Sequence, residues 1–129
     1  MNCIFCKIIN NEIPNHTIYE DDLVKVFLDI KPSTNGDCLV VPKKHYENIF
    51  TIPDDLILHI HNTSKKIFNL LKEKLQVKGL TLVQNNEHGQ EIKHYHLHLT
   101  PRYTNDNLNH QYNKEALKEL EEIFSTIKN

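Results

Sequence analysis

Three histidines at alternate positions, His94, His96 and His98, constrain this chain more than any other stretch of it. They lie in His94-Tyr95-His96-Leu97-His98-Leu99-Thr100-Pro101-Arg102, with Tyr95, Leu97 and Leu99 filling the gaps. A β-strand sends successive side chains to opposite faces, so it would place the three imidazoles on one face, about 7 Å apart in sequence, and the apolar residues on the other. A helix would scatter the same residues around its surface. A core has no use for three polar rings in one place. The alternation therefore predicts a strand over 94–100 with a functional site on one face. Imidazole titrates near neutrality and serves as nucleophile, proton shuttle or metal ligand.

The flanking sequence supplies strands and helices to build around that stretch. Residues 3–9 are apolar enough for a short buried helix, ended by Asn10, Asn11 and Pro14. Residues 16–20 and 23–28 read as a hairpin turning at Asp21-Asp22, the second arm rich in β-branched and aromatic residues. Residues 29–37 hold Pro32, Ser33, Asn35 and Gly36 and read as a loop. A third strand covers 38–41, stopped by Pro42. Proline and acids at 53–55 open a helix that an apolar stripe (Leu56, Ile60, Ile67, Leu70, Leu71, Leu75) carries to about residue 75. His59 and His61, in this helix, read as solvated or interface positions. A fourth strand covers 80–84, and a polar loop over 85–90 precedes the histidines. Residues 103–113 read as a surface loop, and 115–127 as a C-terminal amphipathic helix with Leu117, Leu120, Ile123, Phe124 and Ile127 on one side. Hairpin-joined strands beside helices predict an α+β fold with an antiparallel sheet.

Composition excludes several classes. At 129 residues one domain is expected over 1–129, with 103–129 as its loop and terminal helix. A net charge of -2 leaves no basic footprint, so a nucleic-acid partner is not expected. No apolar run approaches the roughly 18 residues a membrane span needs. The start, Met1-Asn2-Cys3-Ile4-Phe5-Cys6, lacks the charged and apolar segments of a secretory signal. Three cysteines, two of them three positions apart, do not suggest a disulfide framework, and a reducing cytoplasmic setting is expected.

These pieces together resemble the histidine triad (HIT) family of nucleotide-binding proteins. The resemblance runs from Cys3 to Arg102. It is carried by Cys3-Ile4-Phe5-Cys6-Lys7-Ile8-Ile9, Glu12-Ile13-Pro14, Phe27-Leu28-Asp29-Ile30, Leu39-Val40-Val41-Pro42-Lys43-Lys44-His45, Gly89-Gln90 and the triad itself. It implies a HIT-like fold with a five-stranded antiparallel sheet, a long helix and a C-terminal helix, and a homodimer whose two sheets join. It also implies hydrolysis or transfer at the α-phosphate of a purine nucleotide such as a nucleoside phosphoramidate or adenylylated amine. By the same resemblance His96 is the nucleophile that forms a nucleotidyl-histidine, and His98 holds phosphate oxygens. His94 completes the triad, and Gln90 contacts the bridging or leaving group. Phe5, Ile8, Phe27, Leu28 and Ile30 line a base pocket, Asp29 binds the ribose hydroxyls, and Asn85 lies near phosphate and ribose. Elementary chemistry agrees: a planar base needs apolar walls, a diol needs an acceptor, and a phosphorane needs donors. Without the resemblance, Phe5 and Ile8 read equally well as core.

Cys3-x-x-Cys6 with His45 and His94 forms a second constellation. Two thiolates and two imidazoles make a tetrahedral Cys2His2 set, a redox pair is the chemical alternative, and two packed thiols the plain one. Some family members with this cysteine pair carry structural zinc, and His45 and His94 match their remaining ligands. Zinc is therefore the expected cofactor. Cys38 reads as core.

The chain departs from the family pattern in three places. A histidine usual directly after Gly36 is Asp37 here, which bears on proton handling around His96. Two positions beyond Gly89, a usual Ser or Thr is Glu91, whose carboxylate would repel a phosphate, so that it either points away or favours a cationic leaving group. The loop from Asn85 to Gln90 is short. Three alternatives to a phosphoramidase stay open on sequence alone: a dinucleoside polyphosphate hydrolase, a nucleotide- or partner-binding protein with little catalysis, and a metal-only histidine site.

Overall fold

The computed structural model describes residues 2–128. A five-stranded antiparallel sheet forms its centre, in the order β1-β2-β3-β5-β4. The strands are β1 (Thr17–Glu20), β2 (Val24–Leu28), β3 (Cys38–Pro42), β4 (Gly79–Val83) and β5 (Leu97–Arg102). Asp21 closes the first hairpin, its Oδ1 accepting the N–H groups of Leu23 and Val24 at 2.8 and 2.9 Å. β2 and β3 pair from Val24↔Pro42 to Leu28↔Cys38. Both are buried almost throughout because both faces of the sheet are covered there, and apart from Lys25 every residue of the two strands is apolar.

The two faces carry two cores. The long helix α2 (Asp54–Leu75) packs on one, where Ile60, Ile67 and Leu71 meet Val24, Val26, Cys38, Val40, Tyr95, Leu97 and Leu99. Acids in its first turn and lysines in its last suit the helix dipole, and a left-handed Gln76 ends it. The short helix α1 (Ile4–Ile9) covers the other face, where Cys3, Phe5 and Ile8 pack with Phe27, Leu39 and Val41. The triad alternates as expected: Tyr95, Leu97 and Leu99 enter the α2 core, and the histidines take the α1 face.

Two expectations need correction. The strand does not begin at His94 but at Leu97, and it runs on through Pro101 to Arg102. Its pairing with β3 ends at Val40↔Leu97. Pro42 has no N–H to give a ladder, and its carbonyl accepts from the His94 ring instead, 2.8 Å away. The C-terminal segment is not one helix over 115–127. A 3-10 turn (Lys114–Ala116) is followed by extended backbone at Leu117, and α3 spans Leu120–Lys128. Leu117, Leu120, Ile123, Phe124 and Ile127 are all exposed, so no packing holds the segment in one continuous helix. Among the described residues no helix is long and apolar enough to cross a membrane.

Candidate active site

Cys3 precedes α1 and acts as its N-cap, its Sγ accepting the N–H of Cys6. One helical turn thus brings both thiols to one side. His45 leaves the end of β3, and His94 comes from the segment before β5. The four ligand atoms lie within 4.8 Å of one another. His94 Nδ1 is 3.5 Å from Cys3 Sγ, 3.6 Å from Cys6 Sγ and 3.0 Å from His45 Nδ1, and Cys6 Sγ is 3.4 Å from His45 Nδ1. A tetrahedral zinc would set its nitrogens about 3.4 Å apart and its nitrogens and sulfurs about 3.6 Å apart. Burial pushes the His94 imidazole down to about 4, so the ring is neutral. Its Nε2–H donates to the Pro42 carbonyl, which leaves a lone pair on Nδ1, aimed at the cluster. A lone pair facing a second ring nitrogen and two thiols fits a cation at their centre. Cys38 is buried in the α2 core, and burial pushes its thiol up to about 12.

Beside this cluster, on the same face, lies a cavity of about 470 Å³. Phe5, Ile8, Phe27, Leu28, Asp29, Ile30, Asn85, His96 and His98 all line it. Gln90 does not. It is buried, with its side-chain NH2 donating to the Glu47 carbonyl at 2.7 Å and its Oε1 accepting the Glu87 N–H at 3.2 Å. Ile4, Ile13, Pro14, Asn15, Lys31, Leu39, Gly89, Glu91 and Ile92 complete the lining. Lys31 and Ile92 adjoin residues that sequence reasoning singled out, whereas no sequence signal marked Asn15.

His96 is buried at the foot of this cavity, 5% exposed. The Phe5 and His98 rings each stand nearly perpendicular to it, with ring centroids 5.0 Å from its own. Its Nδ1–H donates to the His94 carbonyl at 2.7 Å, so Nε2 carries the lone pair. Burial lowers its pKa, and the His98 ring adds to this. The His94 carbonyl, Asp29 and Glu91 pull the other way without reversing the shift. A neutral imidazole with a fixed tautomer is what a nitrogen nucleophile needs.

Asp37 does not reach His96. Its carboxylate accepts the Ser33 N–H at 2.9 Å and the Thr100 hydroxyl at 3.4 Å, tying the 29–37 loop to β5. Asp29 Oδ1 accepts the Lys31 N–H at 2.9 Å. His59, expected to be solvated, pairs with Asp21 at 2.8 Å.

The HIT domain model matches residues 10–105. The chain belongs to the HIT family. An uncharacterized HIT-like protein of Methanocaldococcus jannaschii is 44% identical over 128 residues, 98% of each chain. An adenosine 5′-monophosphoramidase of Saccharomyces cerevisiae is 35% identical over 102 residues, 78% of this chain and 62% of its own. Among solved structures, a zinc-bound histidine triad family protein from Mycobacterium smegmatis matches with a TM-score of 0.81 and 31% identity, over 88% of this chain and 84% of that one. The shared HIT fold agrees with the five-stranded antiparallel sheet described above.

Proposed function

We propose that this HIT protein is a nucleotide hydrolase that cleaves the phosphorus–nitrogen bond of a purine nucleoside 5′-phosphoramidate. The observation that carries the reading is His96: buried, neutral, and held with its Nε2 lone pair free in a cavity with apolar walls. The base would lie against Phe5, Ile8, Phe27, Leu28 and Ile30, and the ribose hydroxyls against Asp29. Asn85 would sit near phosphate and ribose. Nε2 attacks the α-phosphorus, the P–N bond breaks, and the amine leaves with a proton taken from solvent. His98 and loop N–H groups steady the charge on the phosphoryl oxygens. Water then attacks the nucleotidyl-histidine and releases the nucleoside monophosphate, restoring His96. Gln90 acts at one remove, clasping the 85–90 loop to the 47–49 segment. The similarity to a yeast adenosine monophosphoramidase supports the reading.

The substrate preference follows from Asp37. Its carboxylate is occupied by Ser33 and Thr100, so it offers the nucleophile no proton relay. An amine leaving group takes up a proton more readily than a phosphoanhydride oxygen. Offering adenosine phosphoramidate and diadenosine polyphosphate side by side tests this. Preferential release of AMP from the first is expected, and preference for the second overturns it.

Zinc at Cys3, Cys6, His45 and His94 would be structural, since four protein ligands leave no position open for substrate. When bound it would cross-link α1 to the segments holding His45 and His94. A homodimer accompanies the reading. β4 is an edge strand with Leu82 and Val83 each 41% exposed, which suits sheet-to-sheet pairing with a second copy. A reducing, cytoplasmic compartment suits the free thiols.

A further inference from the structure

All three thiols are free, but they are not alike. Cys38 is fully buried on β3. Cys6 is only half-buried, and Cys3 Sγ lies 3.4 Å from its backbone nitrogen. A reagent that reaches Cys6 therefore finds a second sulfur beside it. With a cation held, both sulfurs are thiolates, the form that peroxides oxidise. Neither cysteine lines the cavity, yet three sets of contacts lead there from the pair. His94 Nδ1 stands 3.5 Å from Cys3 Sγ and 3.6 Å from Cys6 Sγ, and the carbonyl of the same residue accepts the His96 Nδ1–H. Phe5, between the two cysteines in the chain, stands across both imidazoles, with centroids 5.9 Å from His94 and 5.0 Å from His96. His45 opens a segment whose Tyr46 and Glu47 carbonyls accept from the Tyr95 N–H and the Gln90 amide, both at 2.7 Å. In the same segment the Ile49 N–H donates to Asn86 Oδ1 at 2.8 Å. The nucleophile, the apolar wall and the 85–90 loop are thus all tied to one cluster.

We propose that Cys3 and Cys6 form a reversible oxidation site through which a peroxide switches turnover off. Cys6 Sγ attacks one peroxide oxygen, the O–O bond breaks, and Cys6 becomes a sulfenic acid with loss of hydroxide. Cys3 Sγ then attacks that sulfur and displaces a second hydroxide. In sum, two thiolates, one hydrogen peroxide and two protons from solvent give one disulfide and two waters, the two electrons passing from sulfur to oxygen. A disulfide offers no thiolate, so the Cys2His2 set can no longer hold a cation. His45 and His94 lose their anchor, and the carbonyl that fixes His96 in its attacking tautomer shifts with the His94 ring. A dithiol reverses the oxidation. The effect on turnover rests on the hydrolase reading above, whereas the oxidation itself does not.

Treating the zinc-loaded wild type with hydrogen peroxide tests the proposal. Thiols titrated in denaturant should fall from three per chain to one, that of Cys38, with about one zinc passing to a metallochromic dye. Nitrogen NMR shifts of the imidazoles should show His96 in a single tautomer, its proton on Nδ1, before oxidation and in a mixture after it, with far-UV circular dichroism unchanged. kcat for adenosine 5′-phosphoramidate should fall about tenfold or more, and dithiothreitol with zinc should restore it. Cys6→Ser, which cannot close the disulfide, should show no further fall with peroxide. A thiol count that stays at three, an unchanged His96 tautomer or an unchanged kcat in the disulfide form, or loss of the fold on oxidation overturns the switch. No turnover before oxidation overturns the hydrolase reading alone, because thiol count and tautomer still report on the switch.

Discussion

The His94 carbonyl oxygen accepts the Nδ1–H of His96 at 2.7 Å, while the His94 ring turns into the Cys2His2 cluster. One residue thus joins the two sites. Its side chain belongs to the metal set, and its backbone fixes the tautomer of the proposed nucleophile. Neither Asp37 nor any other carboxylate is needed for that task.

His96→Ala should lower turnover about a thousandfold or more while leaving binding of the nucleoside monophosphate nearly intact, because the apolar walls stand on other elements. Rapid quench of the wild type should trap an acid-labile nucleotidyl-protein that the variant lacks. Full activity in His96→Ala would remove it from the chemistry.

Protein purified without chelator should contain about one zinc per chain. Cys6→Ser should lose the metal and lower the melting temperature, by about 4 °C for each kcal/mol of lost stability in a chain of this size. Metal-free protein with an unchanged melting temperature would favour two packed thiols.

Lys25, on β2, is 1% exposed, and its Nζ donates to the Ile8 carbonyl at 3.1 Å and to Asn11 Oδ1 at 2.8 Å. Among the described residues it has no carboxylate partner, and it holds the C-terminal end of α1. Lys25→Met keeps the volume and removes both charged hydrogen bonds, so it should cost about 1.5–3 kcal/mol in denaturant unfolding. It should also weaken nucleotide binding, because α1 carries Phe5 and Ile8. A variant as stable as the wild type would show that the ammonium's desolvation cancels its bonds.

Burial pushes the Asp21 carboxyl up, but the Leu23 and Val24 N–H groups, His59 and Tyr19 together outweigh it and hold the carboxyl at about 2. A folded-state pKa below the ordinary value of about 3.9 means a contribution present above about pH 4 and lost as pH falls toward 2. Asp21→Asn should therefore be less stable than the wild type by a constant margin above about pH 5, with the gap closing on acidification. Unfolding curves across pH 2–7 would show it, and a gap that does not narrow would place the effect in the turn geometry alone.

The alternation of the triad was legible because period two is the property of a strand and a sheet face. Tyr95, Leu97 and Leu99 pack where that period places them. Where the strand begins was not legible, because its start depends on a bond between the His94 ring and the Pro42 carbonyl, residues 52 apart in sequence. Gln90 shows the same limit. Its neighbours suggest a cavity residue, yet its amide is taken up by Glu47 from a distant segment. The apolar spacing over 117–127 reads as one helix, but period alone does not supply the surface that would hold it together. The Cys2His2 set was legible as a set of residue types, while its assembly needed three elements to converge.

α1 has only six residues, too few to persist unaided, and it is secured from both ends. Cys3 and Cys6 fasten one end and Lys25 the other, and none of these residues lines the cavity. The apolar wall is therefore adjustable from outside. Substitutions at the fastenings can slide or tilt Phe5 and Ile8 while both residues stay the same. If the cavity takes the nucleotide base as proposed, tolerance for a larger or smaller base can drift in this way, and a comparison confined to ligand-touching positions would record no change.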